Sequence, residues 1–361
     1  MKAIFSMIFL LMTSLLSLIS QTNSETISTN KQSDNHEFNS FIYHRFGEDK
    51  YPFTNITKEQ FEQHLQFLSE HNYTVMNLGE ALKRIYNGKG VPEKTVVLTI
   101  DDGFKSIKTV AAPLLKQYGY TATIFVCTKY IGNSSYLTWN EVRELQQDGY
   151  EIGNHSHSHA HFLNYSSQEL AEQFKNDLDK SHSLFRKHLG KIPDLYAYPY
   201  GEYNDEMTSI LKSYNYKAGA AQKSGVIYSG TEKFHLPRFP MTSMYARIER
   251  FKEKARMHPL PVIKQSPSAS VPRNDNPPVL TFHVNTSEIN SANLQCFVAG
   301  TRNCTLTKKI NNNELVIRMQ AEHKLTSRRT LYTITAPSKE GNEWYWFSHL
   351  WVMPKYPEYG E

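Results

Sequence analysis

Val96-Val97-Leu98-Thr99-Ile100-Asp101-Asp102-Gly103-Phe104 is the stretch on which the fold turns. Its first five residues are apolar or β-branched and show no polar alternation. That is the pattern of a strand buried on both faces, as in a parallel sheet. Gly103 then lets the chain turn sharply. Two neighbouring carboxylates at such a turn cannot comfortably both stand as bare anions at close range. A bound cation is the simplest way to divide their labour: one carboxylate ligates it, and the other stays free to take a proton from water. Asp-Asp-Gly after a strand is also a common surface turn, so a functional role needs support from elsewhere in the chain.

Outward from this strand the periodicity alternates between 2 and 3.6. A strand over 41–46 precedes a helix opened by the Thr57-Lys58-Glu59-Gln60 capping box, with Phe61, Leu65 and Leu68 on one face. Strands are expected over 73–78, 95–100, 121–127, 150–152, 195–198, 216–220 and 234–238. Helices are expected over 79–86, 105–118, 139–148, from the Ser166 capping box to 189, and over 205–214. Roughly seven or eight βα units predict an α/β fold, a (β/α) barrel that is possible to leave incomplete. Chemistry in such barrels sits at the C-terminal strand ends, where Asp101, a histidine cluster and Pro199-Tyr200 all fall.

The chain divides into five parts. Residues 1–24 read as a secretory signal: Lys2, an apolar stretch from Ile4 to Ile19, and a cleavage site near Thr22-Asn23-Ser24. Residues 25–38 read as a flexible polar leader, 39–257 as the barrel, 258–278 as a Pro-rich linker, and 279–361 as a small all-β sandwich of short alternating runs. No later stretch is apolar enough for an integral span once the signal is cleaved, which predicts a secreted or periplasmic protein. Cys296 and Cys304 flank a Gly-containing turn and could pair in an oxidising compartment, with two separate thiols the competing possibility; Cys127 reads as a buried free thiol. The net charge of +5 comes without a dense Lys/Arg patch, which excludes a nucleic-acid partner.

His155-Ser156-His157-Ser158-His159-Ala160-His161 follows the 150–152 strand. His155 and His159 are four apart, as are His157 and His161, and on one helical turn either pair could share an ion. With Asp102 such a pair completes a His-His-Asp site that leaves positions open for water and substrate. A helical zincin would need His-Glu-x-x-His. Ser156 stands where that Glu would be, which leaves Asp101 as the candidate base.

These residues resemble the polysaccharide deacetylase family, the NodB-homology fold. Thr99-Ile100-Asp101-Asp102-Gly103 is similar to its first motif, His155-Ser156-His157-Ser158-His159 to its His-Ser/Thr-x-x-His motif, and Ala197-Tyr198-Pro199-Tyr200-Gly201 to its third. The resemblance implies a distorted (β/α)7, TIM-like barrel. It selects Asp102, His155 and His159 as ligands of a divalent ion, usually Zn2+, with Ni2+, Co2+ or Mn2+ as substitutes. It implies Asp101 as general base and the Tyr200 N–H as oxyanion donor. The implied reaction removes N-acetyl groups from an N-acetylglucosamine-containing polysaccharide. An O-acetyl esterase on glycan such as acetylated xylan and a non-catalytic glycan-binding protein are the alternatives.

Two departures stand out. Ala197 occupies a position where the family often has Arg, a variant similar to the branch acting on poly-N-acetylglucosamine. The late Leu-x-His motif is missing, and His235-Leu236-Pro237-Arg238 takes its place. His235 is then a candidate general acid, and Arg238 is expected to orient Asp101 or, with Pro199 and Tyr200, to bind substrate. Trp344, Trp346 and Trp351 offer the β-domain a carbohydrate-binding role, against that of a spacer packed on the barrel.

Overall fold

A computed structural model describes residues 35–272, 275–300, 304–311 and 314–357. The expected signal and residues 25–34 of the expected leader lie outside them, and Glu37 and Phe38 at the leader's end are already strand. The chain enters at Asn35, which bridges Val91. Among the described residues no helix is long and apolar enough to cross a membrane.

Strands Glu37–Tyr43, Thr95–Ile100, Thr123–Val126, Glu151–Asn154, Leu195–Ala197 and Ala218–Ala220 pair in that order, all parallel. Thr74–Met76 pairs with the first half of Thr95–Ile100 and Thr123–Val126 with the second. Phe239–Pro240 runs parallel to Glu37–Tyr43, and Leu236 just before it bridges Ala220. Segment 236–240 therefore touches both ends of the parallel array, and the sheet curls toward closure. The expected 234–238 strand forms instead at Phe239–Pro240. Upstream of it the Leu236 and Arg238 N–H groups donate to Gly219 and Lys223 carbonyls rather than to the first strand.

All six residues of Thr95–Ile100 are buried, and their parity sorts them. Val96, Leu98 and Ile100 pack in the cluster that holds Phe61, Leu65, Leu115 and Val142 from the surrounding helices. Val97 packs with Phe38, Phe125, Leu195, Ala220 and Leu236 from other strands. Each such side chain contributes about 1.5–3 kcal/mol by leaving water. Thr99 and Asp101 share the parity of Val97, so the second face turns polar at its C-terminal end.

Thr57 and Ser166 form the capping boxes read from the sequence. The stretch expected as one helix over 105–118 is a π-turn, Ile107–Ala111, followed by Ala112–Gln117. Pro113 has no N–H to give residue 109, and the wider turn absorbs the missing bond.

Beyond the barrel, two four-stranded sheets face each other across a core that includes Leu280, Phe282, Ile317, Ile334 and Trp351. Residues 258–266, expected within the linker, join these sheets together with Met257, the last residue of the expected barrel: Met257–Pro259 pairs with Trp344–Val352, and Val262–Ser266 with Val279–Asn285. Sequence-distant pairing overrides proline content there. Cys296 and Cys304 are joined in a disulfide, and Cys127 is a buried free thiol. Trp351 is fully buried, and Trp346 packs on Phe239 and under Lys254.

Three histidines are stored neutral in this packing. His64 lies between Tyr43 Oη (3.0 Å), the Ala246 carbonyl (2.8 Å) and the Phe251 ring. Burial pushes its imidazole down to about 4, and pushes His235 and His349 down to about 3. Unfolded, each takes its proton near 6.5, so below that pH the unfolded chain binds more protons than the folded one. Stability then falls by up to about 1.4 kcal/mol per pH unit per histidine until the folded groups titrate. The expected result is a melting temperature that drops steeply between pH 6.5 and 4 in calorimetry. A flat profile over that window would contradict the assignment.

Candidate active site and metal centre

Tyr43 pairs with Ile100, and the Asp101 N–H donates to the Tyr43 carbonyl at 2.9 Å. Glu37–Tyr43 and Thr95–Ile100 therefore end together, placing His44 beside the Asp101-Asp102 turn. Asp102 has φ 76°, a left-handed conformation that sends its carboxylate to a different side from that of Asp101. At the tip of Glu151–Asn154, two strands over from Thr95–Ile100, His155 Nδ1 sits 2.8 Å from the Ala197 carbonyl. That contact makes Nδ1 the protonated nitrogen and leaves Nε2 with a lone pair.

His155 Nε2 and His159 Nε2 lie 3.3 and 3.2 Å from Asp102 Oδ1, and the three residues can offer ligand atoms that all lie within 4.8 Å of one another. Asp102 Oδ1 and His155 Nε2 are buried and make no hydrogen bond. Two lone pairs facing each other in a buried site are costly unless a cation stands between them. The donor set, one carboxylate and two imidazoles, suits Zn2+ or a similar borderline ion. These residues fit the metal.

The histidines do not meet on a helical turn. Residues 155–161 form an irregular bend, with Ser156 at φ 67° and His159 at φ 56°. The bend is held from three sides. Ser156 Oγ accepts the His159 N–H at 2.9 Å. Asp177, buried on the Ser167–Leu189 helix, accepts the His157 and Ser158 N–H groups at 2.7 and 2.8 Å. The Thr128 and Lys129 N–H groups donate to the Ser156 and His157 carbonyls. His157 turns away to Thr128 Oγ1 at 3.0 Å. His161 goes to Glu202 Oε2 at 3.2 Å and stacks on Tyr200 at 3.6 Å. Among the described residues, four of the seven non-glycine residues with positive φ, namely Asp102, Ser156, His159 and Tyr200, belong to this site. Such strain costs on the order of 1–3 kcal/mol per residue and clusters where function demands it.

Asp101 is fully buried. Arg238 grips it with both arms, Nη1 to Oδ1 at 2.7 Å and Nη2 to Oδ2 at 2.9 Å, and also donates to Thr99 Oγ1 and the Ala221 carbonyl. Arg238 thus orients Asp101 from the closing segment of the barrel. The substrate-binding half of its expectation is not met, because Arg238 is itself fully enclosed. Burial alone would raise the Asp101 carboxyl, but the Arg238 guanidinium, His155 and His44 outweigh it and hold it below its ordinary value.

Pro199 is buried and opens the short Pro199–Gly201 turn, so it has no face for a polymer. Tyr200 is half-buried, its ring edge-on to His159 at 4.6 Å. His235 is packed elsewhere: it stacks on Tyr203 at 4.1 Å and reaches Thr208 Oγ1 at 3.2 Å. With its imidazole pushed down to about 3, it is no proton carrier at neutral pH. Sequence reasoning missed His44 and Asp177. His44 Nδ1 is buried and makes no hydrogen bond; burial pushes its imidazole below its ordinary value, with Asp102 and Asp101 pulling it up and Arg238 and His155 pushing it down. The one signal available for it was its place at the end of the first strand.

Residues 88–219 match the family described as Polysaccharide deacetylase. The chain is 30% identical over 170 residues to YxkH of Bacillus subtilis strain 168, a protein named for polysaccharide deacetylation; the match covers 47% of this chain and 60% of that one. It is 26% identical over 231 residues to the poly-β-1,6-N-acetyl-D-glucosamine N-deacetylase of Staphylococcus aureus strain MRSA252, over 60% of this chain and 79% of that protein. Among solved structures, the Streptococcus pyogenes deacetylase PplD in complex with acetate superposes with a TM-score of 0.55 at 23% identity, over 61% of this chain and 98% of that one. IcaB from Ammonifex degensii does so with a TM-score of 0.54, also at 23% identity and with the same coverage of each chain. These two likenesses speak for the fold. Over residues 88–219 the barrel domain thus resembles the polysaccharide deacetylase family.

Proposed function

We propose that this protein is a secreted, metal-dependent hydrolase that removes N-acetyl groups from a poly-N-acetylglucosamine. The observation that carries this is the convergence of Asp102, His155 and His159 on one point, with Asp101 beside them and held by Arg238. The likeness to a named poly-β-1,6-N-acetylglucosamine deacetylase supports the substrate class. A signal-like leader and the Cys296–Cys304 disulfide support export to the cell exterior or periplasm.

A divalent cation on Asp102, His155 and His159, most simply Zn2+, would polarise an acetyl carbonyl and acidify a water. The chain's own groups do the rest. Asp101 borders the triad, with Oδ2 3.9 Å from His155 Nε2, and takes the proton of the attacking water. Held low by Arg238, it is a weak base, ionised throughout the neutral range, and suits only a water that has already been acidified. The Tyr200 N–H is the donor for the oxyanion. His44 adjoins both aspartates in the place expected of His235; held neutral by burial, it relays to the leaving amine the proton that Asp101 has taken from the water.

The test is acetate release by the purified mature chain from β-1,6-linked N-acetylglucosamine oligomers and from acetylated xylan, with and without chelator. Release from the glucosamine oligomers, lost with chelator and restored by Zn2+, is expected. Release from xylan alone would make the enzyme an O-acetyl esterase, and release from neither would leave a glycan-binding protein.

A further inference from the structure

Arg328 and Arg329 lie at the start of the Arg329–Pro337 strand of the β-domain, 129 residues from Tyr200 in sequence, yet both end at the active-site turn. We infer that they are positioning residues for catalysis: the β-domain clamps the Pro199–Gly201 turn through Arg329 on the Tyr200 carbonyl and Arg328 on Glu202. This rests on the deacetylase assignment and on Tyr200 as oxyanion donor.

The turn needs holding. Tyr200 has φ 57° and ψ 4°, a left-handed conformation that a bulky residue leaves unless its surroundings forbid it. Gly201 follows at φ 72°, and a Cβ there would stand 2.2 Å from the Gln222 N. The turn is therefore pressed directly against the backbone at Gln222. Arg329 bridges the two sides of this contact: Nη1 donates to the Tyr200 carbonyl at 2.6 Å and to Gln222 Oε1 at 3.0 Å. The carbonyl and the proposed donor N–H flank the same Tyr200 Cα.

Arg328 works from the other side. It is 4% exposed, and donates to both Glu202 oxygens at 2.5 and 2.9 Å, to Asn164 Oδ1 at 2.7 Å and to the Pro354 carbonyl at 2.8 Å. Glu202, 2% exposed, in turn binds His161 Nδ1. His161 stacks on the Tyr200 ring, and that ring meets His159 of the metal triad. A contact meant only to dock a spacer would be served as well by apolar residues, because burying an ion pair costs desolvation that the pair barely repays. A bidentate pair fixes orientation as well as proximity. Of the three tryptophans that had offered a sugar-binding role, Trp346 and Trp351 are spent on packing, while Trp344 is exposed.

Loss of an oxyanion donor lowers kcat about 10²–10³-fold, so a turn left in place but loosened should lose about tenfold or more. In the full mature chain, Arg329→Met is expected to lower kcat by that factor. KM should stay within about twofold, with metal content and melting temperature as in the wild type. Amide exchange in peptides spanning 198–203 should speed up locally. Arg329→Lys should restore part of both, and the paired change Arg328→Met with Glu202→Gln should repeat the pattern without leaving a buried carboxylate unpaired. Unchanged exchange over 198–203 in Arg329→Met would overturn the inference. So would faster exchange with wild-type kcat, or loss of kcat that only tracks a lower melting temperature. If the wild type releases no acetate from any glycan, the deacetylase assignment falls on its own, and the exchange measurement still decides whether the β-domain holds the turn.

Discussion

Asp101→Asn should reduce acetate release by about 10²–10⁴-fold, the range of a general base, while the protein keeps its full complement of metal. The substitution is isosteric and touches none of the three ligand side chains. What it removes is the charge that accepts the proton. It also leaves Arg238, fully buried, facing an amide where a carboxylate balanced it. Breaking a buried pair in this way costs about 3–5 kcal/mol, so activities must be compared well below the melting temperature of the variant. His44→Ala should also keep its metal, with a loss toward the lower end of the same range. Asp101→Asn with more than a tenth of wild-type activity, at equal metal content, would remove Asp101 from the chemistry.

His155→Ala and His159→Ala should each release the metal and with it all activity, whereas His157→Ala should change little. The contrast follows from geometry. His155 and His159 aim Nε2 at Asp102 Oδ1, and the His155 tautomer is set by the Ala197 carbonyl. Their loss should weaken metal binding by more than the about 10–100-fold that an outer hydrogen-bond partner is worth. His157 gives the site only its backbone: its N–H to Asp177 and its carbonyl to Lys129 survive truncation to Ala. Metal content by elemental analysis of the three dialysed variants, beside their activities, checks this. A metal-free His155→Ala that still turns over would refute the assignment.

The parts of this structure legible in the sequence are those written locally. The 95–100 strand, the capping boxes at Thr57 and Ser166, and the sandwich strands from 279 onward were all fixed by periodicity and end signals within a few residues. What escaped depends on partners far along the chain. Spacing alone suggested a helical turn for His155 and His159. The observed bend exists because Asp177, on a helix 19 and 20 residues further on, captures two N–H groups, and no propensity records that. Residues 258–266 looked like linker because their pairing partners are Val279–Asn285 and Trp344–Val352. His235 looked like the acid by its place in a motif, yet the closing segment spends its polar reach on Arg238 and turns His235 into the packing around Tyr203. His44, flanked by apolar strand residues and an Arg, carried no motif at all.

The most direct test is anomalous diffraction at the zinc edge from crystals of the full chain grown with Zn2+. One peak is predicted, about 2.0–2.2 Å from an Asp102 oxygen, His155 Nε2 and His159 Nε2, with both Asp101 oxygens still on Arg238 and outside the coordination sphere. A peak on His157 or His161, a peak that takes Asp101 as a ligand, or no peak among these residues would contradict the account.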